Sequence, residues 1–234
     1  MSQFRFTRME SFPPVIKNII IINALVFVAQ LIFEDRYGIT AKLGLWPIQS
    51  EHFHPYQVFT HLFTHDPNNF FHILFNMFGL WMFGRILESV WGSQRFLLFY
   101  IICGIGAAAA HMAVDYFQYQ HVVQQIRFFE NAGMTDAVNL LRNREYYAVG
   151  ASGAVMGVMV AFAFLFPNTE LFIMFIPFPI RAKWAILGMV ALDLFGGIHP
   201  GANDNIAHFA HLGGAVTGFI LVWIWNKTNR RSLY

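Results

Sequence analysis

The feature that most constrains this chain is the recurrence of apolar segments about as long as a membrane is thick. A transmembrane helix needs about 20 predominantly apolar residues, and six segments approach or reach that length. We therefore expect an all-α membrane protein, built as a bundle of six transmembrane helices. The predicted helices are residues 15–33, 70–87, 96–117, 150–166, 182–195 and 205–225.

The composition agrees with this interpretation. Hydrophobic residues make up 56% of the chain and charged residues 12%, which is about half the charged share of an ordinary soluble domain. A length of 234 residues suits one membrane domain, which we place at residues 15–226 between short polar segments at 1–14 and 227–234. The net charge of +2 gives no sign of a nucleic-acid partner, so the expected surroundings are the lipid bilayer.

The connections between the predicted helices differ in character. Residues 34–69 form a long loop that is rich in aromatic residues and histidine and is interrupted by prolines. Residues 118–148 are polar, with apolar side chains spaced as on two short amphipathic helices separated at Gly133, so we expect these helices to lie on the membrane surface. Residues 169–181 contain two closely spaced prolines and should not be regular helix.

Lysine and arginine predict the orientation of the bundle. The side that includes both termini has Arg5, Arg8, Lys17, Arg85, Arg95, Arg181, Lys183, Lys227, Arg230 and Arg231. The opposite side has Arg36, Lys42, Arg127, Arg142 and Arg144. Positive residues concentrate on the cytoplasmic side of membrane proteins. We therefore predict a multi-pass protein of a bacterial inner membrane with both termini in the cytoplasm.

Two polar residues lie inside apolar segments, where a polar group indicates function. Ser152 is near the outer end of the fourth segment, and His211 lies roughly 9 Å into the sixth from the same side at 1.5 Å per residue. At matched depth, the imidazole could accept the hydroxyl proton as a general base. The sequence places no acid to complete a triad, because Asp193, the nearest intramembrane acid, favours a structural role. A Ser–His dyad is the simpler hypothesis.

Glycines accompany both candidates. Gly150 and Gly153 flank the serine, and Gly157 follows one helical turn later. Gly214 and Gly218 share one helix face with the histidine. Small residues at this spacing allow membrane helices to approach closely, so we predict that the fourth and sixth helices pack through these glycines.

Acyl transfer also needs donors for the oxyanion. Ser152 starts a helix, where the first backbone N–H groups have no partner within the helix and the helix dipole favours negative charge. His72 and Asn76, an i, i+4 pair at the outer end of the second helix, are candidate side-chain donors. The alternative is a polar pair that only stabilises the start of that helix.

Together these motifs resemble those of the rhomboid family of intramembrane serine proteases in order, spacing and placement. The matching runs are His72-Ile73-Leu74-Phe75-Asn76, Gly150-Ala151-Ser152-Gly153 and Ala210-His211 with Gly214 and Gly218. The resemblance implies a six-helix core with Ser152 as nucleophile and His211 as base, and His72 and Asn76 as oxyanion donors. It further implies transmembrane protein substrates, cut near small residues, and no cofactor.

The chain departs from the family pattern in three places. Many members have Trp-Arg in the first outer loop before a Phe-Thr pair, whereas Tyr56-Gln57-Val58 stands here. This difference predicts another way of anchoring the loop. The insertion at 118–148 and the segment 196–204 are also longer than a minimal core needs.

Two other hypotheses stay open. His61 with His65, and His208 with His211, have spacings that allow a shared metal ion on a helix, which is the basis for a metal-dependent membrane protein. No His-Glu-x-x-His run is present and carboxylates are scarce nearby, so we predict no metal. A non-catalytic relative of the proteases would typically lack the serine or the histidine, and both are present.

Overall fold

The computed structural model describes residues 11–142, 147–172, 177–199 and 207–228, which are mostly helical. The helices are α1 (Pro14–Tyr37), α2 (Ile39–Leu43), α3 (Gln57–Thr60), α4 (Phe70–Gly79), α5 (Arg85–Trp91), α6 (Ser93–Asn131), α7 (Thr135–Arg142), α8 (Ser152–Leu165), α9 (Ala182–Ile198) and α10 (His208–Thr228). A 3-10 helix, His61–Phe63, follows α3, and a π-helical turn, Leu80–Gly84, joins α4 to α5. The short strands β1 (Glu170–Leu171) and β2 (Ile180–Arg181) pair antiparallel.

The prediction of an all-α membrane protein is confirmed, and the count of six spans is approximate. In the described ranges, four helical stretches are long and apolar enough to cross a bilayer: Pro14–Tyr37, Phe70–Trp91, Ser93–Asn131 and His208–Thr228. Helices α8 and α9 have 14 and 17 residues. They are therefore about 21 and 26 Å long, somewhat less than the hydrocarbon thickness of about 30 Å.

The polar insertion differs from its prediction in its first half. Residues 118–131 are not a separate surface helix, because α6 continues through them to a length of 39 residues. No proline or glycine occurs between Gly106 and Gly133, so nothing in this stretch ends the helix. The predicted break at Gly133 is present, with a positive φ of 71°, and α7 follows it.

Two other boundaries are settled where the structure describes them. The described parts of 169–181 are not helical, as predicted, and they form the β1–β2 pair. The sixth membrane helix begins at His208. Its predicted start at Asn205 lies outside the described residues.

The helices alternate in direction, so each end of the bundle gathers a defined set of side chains. Helices α8 and α10 both begin at one end, which we call the site end. At the opposite end, the Glu88 carboxylate of α5 accepts the backbone N–H groups of Val15 at 3.0 Å and Ile16 at 2.9 Å, the start of α1. Trp91 and Trp225 also meet there, with ring centroids 5.5 Å apart.

Helix α8 forms the centre of the bundle, between α6 and α10. Its residues 153–159 are all buried. A Cβ added to Gly218 would lie 2.6 Å from the Gly157 carbonyl oxygen, and one added to Gly157 would lie 2.8 Å from the Gly214 carbonyl oxygen. The backbones of α8 and α10 are therefore in direct contact, which leaves no room for side chains and fixes the two helices relative to each other.

Candidate active site

The loop between α1 and α4 fixes the start of α8. Leu45 and Ala148 exchange two backbone hydrogen bonds, of 2.8 and 2.9 Å, and the Gly150 N–H donates to the His61 carbonyl at 3.0 Å. The chain entering α8 is thus tied to the loop two residues before Ser152. Since Ser152 is the first residue of α8, its position depends on this loop.

Gln57 anchors the loop itself. Its side chain is fully buried. Its amide nitrogen donates to the carbonyls of Lys42 at 3.2 Å and His52 at 3.0 Å, and its amide oxygen accepts the His54 N–H at 3.1 Å. Gln57 stands in the run where family members often have Trp-Arg, so a neutral amide connects three parts of the loop here.

The structure brings Ser152 and His211 together, although 59 residues separate them. The Nε2 atom of His211 lies 2.8 Å from the Ser152 Oγ, within hydrogen-bonding distance. Both residues lie in the first turn of their helices, and the glycine contact between α8 and α10 holds these helices close enough for the bond. The imidazole can therefore accept the hydroxyl proton without a rearrangement of the helices.

An acid also contacts the histidine, and the sequence analysis did not place this contact. The Oδ1 atom of Asp193 lies 2.9 Å from the His211 Nδ1, and Asp193 is buried. The sequence alone could not show which face of α9 meets α10. The i, i+3 spacing of His208 and His211, which suggested a metal pair, puts both imidazoles on one helix face toward this acid.

His208 binds the same carboxylate oxygen. Its Nδ1 lies 2.8 Å from the Asp193 Oδ1. A Cβ at Gly196 would lie 2.5 Å from the His208 ring, so only a glycine there lets the ring pack against α9. The ligand atoms of Asp193, His208 and His211 all lie within 4.8 Å of one another. Imidazole nitrogen and carboxylate oxygen are the donors that Zn²⁺ takes, so this group supplies the carboxylate that the metal hypothesis lacked.

His72 of α4 lies beside the serine. A Cβ at Gly150 would lie 2.8 Å from the His72 Nε2 and 3.6 Å from the Ser152 Oγ. Gly150 has a φ of 127°, which L side chains rarely adopt, so both backbone and space require glycine. The Asp66 N–H points to the His72 Nδ1 at 3.4 Å. With Nδ1 as the acceptor, Nε2 carries the proton and can donate toward the serine.

Asn76 is buried one turn further along α4. Its Nδ2 donates to the His72 carbonyl at 2.9 Å, which commits one of its two amide N–H groups within the helix. Asn76 and His72 share a helix face. The geometry thus places His72 against the serine run, and Asn76 lies one helical turn further along α4 on the same face.

His61 and His65 do not join the group around Asp193. The His61 Nδ1 lies 2.8 Å from the Gln57 carbonyl oxygen, and the His65 ring packs edge-on against His72 with centroids 5.1 Å apart. Burial disfavours their charged forms and lowers the pKa of His61 to about 4 and that of His65 to about 3. Both are therefore neutral near pH 7.

Known proteins share sequence with most of this chain. A family model described as a rhomboid domain matches residues 52–228. The chain is 27% identical to rhomboid protein 1, mitochondrial, of Saccharomyces cerevisiae over 70% of this chain and 40% of that protein. It is 31% identical to rhomboid protease AarA of Providencia stuartii over 64% of this chain and 49% of that protein.

A chloroplastic relative is matched along more of its length. The chain is 27% identical to rhomboid-like protein 11, chloroplastic, of Arabidopsis thaliana over 92% of this chain and 66% of that protein. The chain thus spans between 40% and 66% of the length of these three relatives.

Proposed function

This chain belongs to the rhomboid family, and we propose that it is an intramembrane serine endopeptidase. Its substrates would be membrane proteins, cut in or beside a transmembrane segment. The observation that carries this proposal is the 2.8 Å separation of the Ser152 Oγ and the His211 Nε2. The relative from Providencia stuartii is named a protease, which supports the same activity.

In the proposed reaction, His211 takes the Ser152 proton as Oγ attacks the carbonyl carbon of the scissile peptide bond. The new C–O bond gives a tetrahedral oxyanion, whose collapse breaks the C–N bond and leaves an acyl-enzyme. The imidazolium returns its proton to the leaving amine. Water then attacks the acyl-enzyme, with His211 again as the base.

Two kinds of donor serve the oxyanion in this proposal. The backbone N–H groups at the start of α8 have no partner within the helix. His72 Nε2, held as a donor beside Gly150, and the Asn76 amide supply side-chain N–H groups. The packing glycines Gly153, Gly157, Gly214 and Gly218 keep nucleophile and base at a fixed separation.

The proposed orientation follows from the charge distribution. Hydrolysis needs water, and the polar residues gather at the site end, which the positive-inside pattern assigns to the outer face. The protein is an integral membrane protein. A bacterial inner membrane stays a prediction, because the relatives named above include mitochondrial and chloroplastic proteins as well as a bacterial one.

A metal-dependent activity is the second candidate, favoured by the group Asp193, His208 and His211. A chelator separates the two functions. Loss of cleavage with chelator and its recovery with Zn²⁺ would support the metal, whereas the serine mechanism is indifferent to chelation.

The deciding experiment measures cleavage of a transmembrane substrate by the purified protein in detergent or liposomes. We expect Ser152→Ala and His211→Ala each to abolish cleavage and to keep the wild-type unfolding temperature. Cleavage by a folded Ser152→Ala protein would end the serine mechanism. If the wild type itself cleaves no membrane substrate but forms stable complexes with them, the chain is a non-catalytic member of the family.

A further inference from the structure

We propose that Asp193 is a positioning residue for His211, so that the site works as a hydrogen-bonded chain of serine, histidine and aspartate rather than as a dyad. This inference rests on the proposed function and deepens it. In it, Asp193 holds the proton of His211 on Nδ1 and stabilises the imidazolium that forms when Ser152 attacks.

The two bonds of His211 determine its tautomer. An ionised carboxylate only accepts hydrogen bonds, so the 2.9 Å bond between Nδ1 and the Asp193 Oδ1 requires the proton on Nδ1. Nε2 then presents a lone pair to the Ser152 Oγ at 2.8 Å. This is the arrangement that a general base needs, and without the carboxylate neither the tautomer nor the ring orientation is fixed.

Asp193 is itself held in place. Its side chain is only 11% exposed, and its Oδ1 is shared with the His208 Nδ1 at 2.8 Å. The His208 ring packs on Gly196, one turn after Asp193 on the same helix. α9 and α10 are thus joined at this point by two charge-assisted hydrogen bonds, which fix the carboxylate before substrate arrives.

The carboxylate also responds to the charge that develops during the reaction. As His211 takes the serine proton it becomes a cation 2.9 Å from Asp193, and the two opposite charges attract each other at that distance. Asparagine has nearly the same shape and lacks this charge. Its amide can also donate to Nδ1, which would reverse the tautomer.

Other titratable groups lie around His211, and the Asp193 variants leave these residues unchanged. They are His208 on α10, His72 on α4 and His111 on α6. His111 has its own acid, Asp115, with the His111 Nε2 3.2 Å from the Asp115 Oδ2. Asp115→Asn is therefore a matched control, because it replaces the carboxyl group of another histidine-bonded acid of the bundle that does not contact Ser152 or His211 in the described structure.

The experiment compares wild type, Asp193→Asn, Asp193→Glu and Asp115→Asn, with kcat and KM measured on one transmembrane substrate. Ser152→Ala provides the background rate. In serine proteases the loss of the triad aspartate lowers kcat by up to about 10⁴-fold. We expect Asp193→Asn to lower kcat by about 10²–10⁴-fold with little change in KM, and Asp193→Glu to recover part of the rate.

Two readouts separate positioning of His211 from a purely structural role. A positioning role predicts that kcat falls while KM stays near the wild-type value, and that Asp193→Glu, which restores a carboxylate, recovers part of the rate. Asp115→Asn should keep the wild-type kcat. A folded Asp193→Asn protein with kcat within about threefold of wild type would overturn the inference.

A second measurement decides the case in which Asp193→Asn does not fold. ¹⁵N NMR of histidine-labelled Ser152→Ala protein, with the His211 signals assigned by His211→Gln, reports which ring nitrogen carries the proton at pH 8. Protonation at Nδ1 supports the inference, and protonation at Nε2 contradicts it. Failure of the proposed function looks different, since cleavage would then persist in Ser152→Ala or be absent from the wild type.

Discussion

The two ends of the bundle each contain a buried carboxylate, and the two are used differently. At the opposite end, Glu88 accepts two backbone N–H groups at the start of α1 and the Ser93 hydroxyl at 2.7 Å. At the site end, Asp193 binds two imidazoles on α10. A backbone amide does not accept or release a proton in a catalytic step, whereas an imidazole can. The groups that donate hydrogen bonds to a buried carboxylate therefore indicate whether it stabilises the fold or takes part in proton transfer.

After Ser152, His211 and Asp193, the largest loss of turnover is expected for substitution of the oxyanion donors at the site end. Removal of one positioned donor lowers turnover by roughly 10²–10³-fold. We expect Asn76→Ala and His72→Ala each to lower kcat more than they raise KM. The double variant should lose less than the product of the single losses, because one donor and the α8 amides partly substitute for the other.

Michaelis–Menten measurements on one transmembrane substrate check this, with thermal unfolding as the control for folding. Normal kcat in both single variants, with only KM raised, would make His72 and Asn76 binding or packing residues. These two residues would then have no part in the chemistry.

Glu88→Gln should lower stability without lowering activity, and we expect this effect to be smaller than that of the donor variants. A glutamine oxygen can satisfy one of the two N–H groups of α1 and leaves the other without its acceptor, and a buried unsatisfied donor destabilises by about 1–3 kcal/mol. We expect a lower unfolding temperature and unchanged kcat and KM for the folded protein. A loss of kcat like that of Asp193→Asn would remove the distinction between the two acids.

The smallest effect is a loss of stability in acid that depends on the loop histidines. The pKa of His61 is about 4 and that of His65 about 3 in the folded chain, against an ordinary value of 6.5. Between about pH 4 and 6.5 the unfolded chain therefore binds more protons than the folded one, and stability falls as the pH is lowered. The unfolding temperature should decrease from pH 7 to pH 5.

His65→Phe is the matched variant for this effect, because it keeps an aromatic ring against His72 and cannot be protonated. Its unfolding temperature should depend less on pH than that of the wild type. An equal pH dependence in the two proteins would assign the acid sensitivity to other groups.

The sequence predicted the features that follow from residue spacing and depth along single helices. The pairing of Ser152 with His211 followed from matched depth and from glycines at helical spacing, both of which can be read along the chain. The continuous α6 was missed because polarity was taken as the end of a helix, although the residues there lack a breaker. The contact of Asp193 with His211 was not predicted, because the rotation of α9 against α10 depends on packing among several helices.

The anchoring of the loop by Gln57 shows the same limit. The substitution of the common Trp-Arg was visible in the sequence and predicted a different anchor. Which groups replaced it was not visible, because the carbonyls of Lys42 and His52 approach the amide only in the folded loop. Pairwise contacts between distant segments are therefore the part that needed the structure.

The activation of Ser152 by His211 is tested by covalent labelling with a fluorophosphonate, followed by intact-protein mass spectrometry. We predict one adduct per wild-type molecule, located on Ser152. Ser152→Ala should give none, and folded His211→Ala a strongly reduced rate. Absence of an adduct on the folded wild type, or labelling of Ser152 at the same rate in His211→Ala, would show that His211 does not activate Ser152.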